Sequence, residues 1–354
     1  MVMVLAPIAR GVVEDVEISA AMKLPGVVAY IDHKDVRPGA ALGHAQDTPI
    51  FANGEISYHG QPVGAVIAQD HETARRAAHC VKIHCTPQKP IVTIEDAIAS
   101  SSYFAEKPMA MHSFMSGCLD QPAAPDWSTM KNIVKGSVKI GGQEHFYMET
   151  NSFIVIPGET DELEVIASTQ SVTDVQESVA QALGLAQHKV TVRTKRIGGG
   201  FGGKESSSCL FVVPAAIAAV KLHRPVKITM ERFDDMAMSG TRHPFRCDYK
   251  CGIDNDGKLR KLEMMFYSNA GHSLDLSIGV MHRAITHCDN CYKFPYADVY
   301  GRLCKTNLAS NTAFRGFGAP QAMFACETMM YHAAKQIGLD VNEVHICIHL
   351  FPCF

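Results

Sequence analysis

The sequence predicts an α+β fold: a small α/β domain over residues 1–100, a linker over 101–130, and an α+β domain over 131–354. Three observations carry this prediction. The first hundred residues alternate short apolar runs with one capped helical stretch. Residues 101–130 lose all period, with Pro108, Gly117, Pro122 and Pro125 scattered among Ser and Met. From residue 131 the two-residue alternation of strands dominates, punctuated by helices with clear stop signals.

In the first domain, Gly26–Ile31 and Pro62–Ala68 read as buried strands. Asp70 caps a helix over 71–79, with Glu72 in its first turn, where the helix dipole favours negative charge. Val81, Ile83 and Cys85 alternate with Lys82 and His84, a half-buried strand. Thr93 and Asp96 have the spacing of a capping box. In the second domain, Leu163, Val165 and Ala167 share one face of a strand. Val172, Val175, Val179 and Ala182 follow at helical spacing, and Gly184 ends that helix. Phe245, Cys247, Tyr249 and Cys251 face one way on a strand that turns at Asp254–Gly257 and returns through Leu262, Met264 and Phe266. Pro320 opens a helix that Gly338 closes.

Composition excludes several classes. With 33 Lys+Arg against 36 Asp+Glu the net charge is −3, so no basic surface calls for nucleic acid or an anionic membrane. No apolar run reaches the roughly 18 residues of a membrane span. The N-terminal run lacks a basic segment and is broken by Pro7, which argues against a signal peptide. Twelve cysteines in a chain of 354 residues fit reduced thiols better than a disulfide framework. Cys288 and Cys291 form a lone C-x-x-C, half of what a zinc site needs.

Three loops stand out as chemistry-bearing. Gly198-Gly199-Gly200-Phe201-Gly202-Gly203-Lys204-Glu205 follows a strand and precedes a helix from about Ser206. Five glycines let backbone approach a ligand closely, and a helix N-terminus favours an anion. The run matches the G-x-x-x-x-G-K spacing of a phosphate-binding loop. Glu205 stands where that loop needs Ser or Thr for Mg²⁺, so nucleotide hydrolysis is rejected. Thr312–Pro320 offers Arg315 for an oxyanion and Phe317, between two glycines, for stacking on a planar ligand; a helix-opening loop with a core Phe is the other reading. In Gly141–Glu149, Gln143 offers an amide to a ligand, and His145 is a base, a metal ligand or a structural residue. The three loops are expected to converge on one cleft. Asp254–Gly257 lacks the twelfth-position Glu of a calcium loop, and a hairpin turn accounts for it.

In order and spacing these loops resemble the molybdenum hydroxylases, the xanthine dehydrogenase and aldehyde oxidase family. Cys304-Lys305-Thr306-Asn307-Leu308 strengthens the match. Leu24–Ala29, Gly60–Val63 and Ala74–Ala78 resemble the family's α/β hammerhead domain, and residues from 131 the first half of its molybdopterin-binding domain.

The resemblance implies a Mo-molybdopterin cofactor near Gly142, Gln143, Gly199, Gly200, Phe201, Ala313 and Arg315, with Gln143, Phe201 and Arg315 nearest the metal. It implies that Glu205 and Arg283 orient substrate and that Phe317 stacks on it. A Glu/Arg pair suits a purine, where aldehyde oxidases carry apolar residues. The implied reaction is hydroxylation of hypoxanthine or xanthine with water as oxygen source. The implied setting is a cytoplasmic or peroxisomal homodimer whose 2Fe–2S clusters and FAD lie in domains outside this chain. The sequence departs from the family in four places. The family's glutamate base, far toward the C-terminus, has no counterpart, so no catalytic residue is assigned. His282 stands where Glu commonly precedes Arg283. The start is abrupt, as though the hammerhead had lost its first strand, and residues 344–354 do not continue the family pattern. The expectation is a fragment that does not turn over alone, of a purine-oxidising enzyme or of an aldehyde-oxidising relative, or a non-catalytic product.

Overall fold

The computed structural model describes residues 1–112, 124–292 and 294–348. Apolar alternation in the first hundred residues builds two three-stranded sheets. One has the order β1 (Val2–Leu5), β5 (Pro62–Ala68), β3 (Val27–Asp32). The other has the order β4 (Glu55–Ile56), β2 (Gly11–Glu17), β6 (Lys82–Pro87). Helix α1 (Ser19–Met22) packs against β3 and against α2 (His71–Cys80). Asp70 caps α2 by accepting the N–H of Thr73 at 2.8 Å. Thr93 and Asp96 form the expected capping box on α3 (Ile94–Ala99).

Two features break the expected division. Helix α3, counted by sequence with the first domain, buries Ile94 and Ala97 against Cys304 of the second. The Asn307 carboxamide accepts the N–H of Ile91, and the Asn269 side chain donates to the carbonyl of Val92. The expected linker also contributes strand β7 (Met109–His112), which pairs at a sheet edge with Asp298–Gly301. Its Met-Ala-Met sequence has no polar alternation to betray a strand. Gly117 and Pro122 lie outside the described residues.

The second domain holds two sheets. In chain order come β8 (Asn132–Ile140), β9 (Ser152–Pro157), β10 (Leu163–Ala167), α4 (Val172–Leu183), β11 (Val190–Arg193), α5 (Cys209–Leu222) and β12 (Val226–Thr229). After them come α6 (Arg232–Met238), β13 (Phe245–Ile253), β14 (Leu259–Gly271), α7 (Ser277–Ile285), β15 (Ala297–Lys305), α8 (Ala319–Ile337) and α9 (Val341–Ile348). One sheet has the order β11-β10-β9-β12, covered by α4 and α5; the other β7-β15-β14-β13-β8, covered by α7 and α8. The hairpin pairs Cys247 with Phe266 and Tyr249 with Met264 in register. Gly184 and Gly338 end α4 and α8 at positive φ, 70° and 76°.

One of the two large hydrophobic cores among the described residues crosses the domain boundary. Met3, Ile31, Leu42 and Phe51 of the first domain share it with Phe153, Phe211 and Val212 of the second. Helix α5 is buried all round, so it rigidly fixes the loop that precedes it. That loop is the glycine run.

Candidate active site

Arg242, which belongs to none of the three loops singled out in the sequence, organises the site. It lies between α6 and β13 and is 8% exposed. Its N–H donates to the backbone oxygen of Gln143 at 2.9 Å, and its Nε to Gln143 Oε1 at 3.0 Å. Nη2 donates to the carbonyl of Arg315 at 2.9 Å and Nη1 to that of Phe317 at 3.3 Å. The guanidinium lies 4.1 Å from the centroid of the Phe314 ring. One planar fork thus fixes both the 142–143 loop and the 313–318 loop. Sequence reasoning missed it because its partners lie about 70 to 100 residues away.

The glycine run closes on the same place. The N–H of Arg315 donates to the carbonyl of Phe201 at 2.9 Å. Gly202 has φ +106°, and a Cβ there would stand 2.3 Å from the carbonyl oxygen of Ala313. A Cβ on Gly203 would meet the His145 ring at 2.6 Å, and one on Gly200 would meet Gln170 at 2.4 Å. Tight packing therefore asks for these glycines directly, where the sequence favoured a ligand over a ligand-free glycine-rich turn. The helix also begins later than expected. Residues 206–208 are spent on turns, and α5 starts at Cys209. Gln170 Oε1 accepts the N–H groups of Gly202 and Lys204, at 2.8 and 3.3 Å.

Lys204, the lysine of the apparent phosphate loop, is fully buried. Its Nζ donates to Ser168 Oγ at 2.8 Å and pairs with Glu149 at 3.2 Å. Gly198 N–H donates to the same carboxylate at 2.7 Å. Burial holds the Lys204 pKa below its ordinary value, against the pull of Glu149. His145 is equally committed. Its Nε2 donates to the carbonyl of Ala313 at 2.7 Å, and its ring stacks on Phe314 at 4.6 Å. Burial lowers its pKa, so the imidazole is a neutral brace between two loops. Beneath it, Asp235 accepts from Tyr147 Oη and from the Asn151 N–H, both at 2.6 Å.

The result is a cleft of about 410 Å³ lined by Phe201, Glu205, Arg283, Ala313, Arg315 and Phe317. Phe201 and Phe317 both sit at positive φ, 58° and 60°, a strained backbone that surrounding contacts must hold. Phe201 leaves 49% of its surface exposed. Phe317 packs over Gly279 of α7, where a Cβ would come within 3.0 Å of its ring. Arg283 is exposed in the last turn of α7, with Nη1 3.3 Å from His287 Nε2. Burial, then the charges of Asp275 and Asp174, raise the Glu205 pKa.

Gly142, Gln143, Gly199 and Gly200 are not among the lining residues. Gly142 and Gln143 reach the site through Arg242. Gly199, at φ +99°, lies against Tyr147 and the Phe201 ring, and Gly200 against Gln170. Cys288 is buried with its thiol 3.2 Å from the carbonyl of Ile285, whereas Cys291 is exposed.

The family model for the molybdopterin cofactor-binding domain matches residues 111–346. That for the aldehyde oxidase and xanthine dehydrogenase a/b hammerhead domain matches residues 1–89. The chain belongs to the xanthine dehydrogenase and aldehyde oxidase family. It is 42% identical over 94% of its length to xanthine dehydrogenase of Dictyostelium discoideum, of which it covers 24%. It is 43% identical over 93% of its length to xanthine dehydrogenase/oxidase of Gallus gallus, again covering 24%. The chain thus spans about a quarter of the length of the curated relatives it matches. Its fold matches aldehyde oxidoreductase from Desulfovibrio gigas with a TM-score of 0.88 at 24% identity, over 99% of this chain and 40% of that one. Quinoline 2-oxidoreductase from Pseudomonas putida 86 matches with a TM-score of 0.85 at 22% identity, over 99% of this chain and 46% of that one.

The family's cofactor is Mo-molybdopterin, and the residues present suit it. An Arg Nε only donates, so its bond to Oε1 fixes the orientation of the Gln143 amide. A cofactor oxygen placed at Gln143 would therefore meet its NH₂. Gly141 beside it has no atom within 4 Å of where a Cβ would stand, which leaves room for a bulky group. Among the described residues, no helix is long and apolar enough to cross a membrane.

Proposed function

We propose that this chain is the cofactor- and substrate-binding part of an enzyme that hydroxylates a purine, of the hypoxanthine and xanthine class, with water as oxygen source. One observation carries the reading: Glu205, Arg283 and Phe317 line the same cleft. A purine offers ring nitrogens, carbonyl oxygens and a flat π-face. Those features match an acid, a guanidinium and an aromatic ring in turn, whereas an aldehyde has one acceptor.

The cofactor, when bound near Gly142, Gln143, Gly199, Gly200, Phe201, Ala313 and Arg315, supplies the two-electron oxidation. Gln143, Phe201 and Arg315 are the residues of this set proposed nearest the metal. The chain's own side chains bind and orient. Burial raises the Glu205 pKa, and its carboxylate accepts a hydrogen bond from a ring N–H. Arg283 donates to a purine oxygen and stabilises negative charge as it develops there. Phe317 holds the ring plane.

The activity belongs to the longer protein. The remaining iron–sulfur, flavin and C-terminal molybdopterin regions are its proposed partners, the last supplying the base, and the assembly is a proposed homodimer. The nine cysteines whose side chains are described are all free thiols, which suits the reducing cytoplasm, with the peroxisome as the other compartment. The test is the ratio of specificity constants for xanthine and benzaldehyde in the full-length protein. A ratio strongly favouring xanthine supports purine oxidation. A ratio favouring benzaldehyde overturns it.

A further inference from the structure

Where the two domains meet lies a small cavity of about 30 Å³. Its wall combines Leu42, Thr48 and Tyr58 of the first domain with Ser206, His272 and Asp275 of the second. Two buried polar atoms in that wall have no hydrogen-bond partner, Asp275 Oδ2 and His272 Nε2. The rest of each side chain is committed. His272 Nδ1 is 3.0 Å from Ser310 Oγ, and the ring stacks on Tyr58 at 4.4 Å. The Ser206 and Thr312 hydroxyls stand beside the Asp275 carboxylate and stabilise its charged form against the burial that disfavours it. The backbone at Asp275 is itself strained, with φ +41°.

A water needs roughly 10–15 Å³ of such space and two to four polar partners. The cavity meets both conditions. Burial lowers the His272 pKa to about 4, so its imidazole is neutral and has one donor nitrogen and one acceptor. Water, with two donors and two acceptors, satisfies Nε2 in either tautomer and still donates to Asp275.

We infer that this cavity is a binding site for one water molecule bridging Asp275 Oδ2 and His272 Nε2. The bridge completes a polar network that runs from Thr48 through Ser273 and Ser310 to His272. Through Asp275 it continues to Ser206 and Thr312, whose hydroxyls are 3.2 Å apart. Ser206 directly follows Glu205, and Thr312 directly precedes Ala313. The water therefore ties the first domain to the bases of both cleft loops, whichever substrate the cleft takes.

The test is a crystal structure of the full-length protein and of two variants at a resolution that shows ordered solvent. The expected result is one density peak within about 2.7–3.1 Å of both Asp275 Oδ2 and His272 Nε2. Asp275→Asn, which keeps a hydrogen-bonding group, retains the peak; Asp275→Val loses it. A dry cavity overturns the inference, as does a peak bonded to neither atom or one with the short, many-oxygen coordination of a metal cation. So does a peak that persists unchanged in Asp275→Val. Should Asp275→Val fail to fold, His272→Phe preserves the stack on Tyr58 and must weaken the peak.

Discussion

Arg242 and Gln143 meet twice, backbone to backbone at 2.9 Å and side chain to side chain at 3.0 Å. The same guanidinium holds the carbonyls of Arg315 and Phe317, so its loss frees two loops at once. Lysine keeps the charge but not the planar fork. Arg242→Lys is expected to destabilise the protein by about 2–4 kcal/mol in urea unfolding and to lower molybdenum content after purification. An unchanged unfolding midpoint with full molybdenum would remove Arg242 from its organising role.

Gly202 is the point where two loops touch. Its φ is +106°, and the Ala313 oxygen lies 2.3 Å from where a Cβ would stand, so no side chain fits. Gly202→Ala is expected to cost roughly 1–3 kcal/mol from backbone strain, plus the displaced contact. Gly141→Ala, in open space, is the control and should unfold like wild type. Equal midpoints for the two variants would contradict the packing argument.

Much of this architecture is legible in the sequence, because the signals are local. Asp70, Thr93, Gly184 and Gly338 announce their helix ends through chemistry within three or four residues. The Asp254–Gly257 turn likewise sets the register of a long hairpin. The site is legible in part, because glycine runs and an Arg between phenylalanines stand out in any sequence. Arg242 does not, since all its partners are remote in the chain. Gln170 and the Asp235 network hide for the same reason. Lys204 misleads because its real partner, Glu149, is 55 residues away.

Two buried histidines set an acid limit on stability. Burial lowers His243 to about 3 and His272 to about 4, from 6.5. Between those values the unfolded chain binds protons that the folded chain does not, so folding stability is full above pH 6.5 and falls as pH drops. The slope is roughly 1.4 kcal/mol per pH unit for each histidine. His243→Asn should start less stable at neutral pH, since His243 Nε2 lies 2.8 Å from Ser277 Oγ. It should then lose less between about pH 6.5 and pH 4. Parallel curves for wild type and variant would refute this.

Glu149 adds a second acid transition. Against burial, the N–H of Gly198, Ser168 and Lys204 hold its pKa below 4.5. Its contribution is present above that value and is lost as pH falls through the lower folded pKa. The Glu149 side chain is 37% exposed, so solvent screens the effect. Glu149→Gln strands Lys204 in the interior and should destabilise at neutral pH, while flattening the stability curve below pH 4.5. Nucleotide affinity should be absent in both proteins; tight ATP binding by wild type would restore the phosphate-loop reading rejected above.

Substrate choice is the sharpest consequence of the cleft. Glu205 and Arg283 belong to different elements, a loop before α5 and the last turn of α7, yet both line one cavity with Phe317. An aldehyde presents a single acceptor and cannot engage both groups, whereas a purine presents several donors and acceptors around one ring. In the full-length protein, Glu205→Val should therefore reduce purine turnover far more than aldehyde turnover. A charge-assisted hydrogen bond contributes about 1.5–3 kcal/mol, which corresponds to roughly a ten- to hundredfold loss in kcat/KM for xanthine. Arg283→Met should act in the same direction and more strongly, since its charge also stabilises the transition state. The measurement is kcat/KM for xanthine divided by that for benzaldehyde, wild type against each variant. A fall in that ratio for both variants supports purine recognition by the pair. A ratio unchanged in both would show that neither residue reads the ring, and the cleft would then be better assigned to aldehyde oxidation.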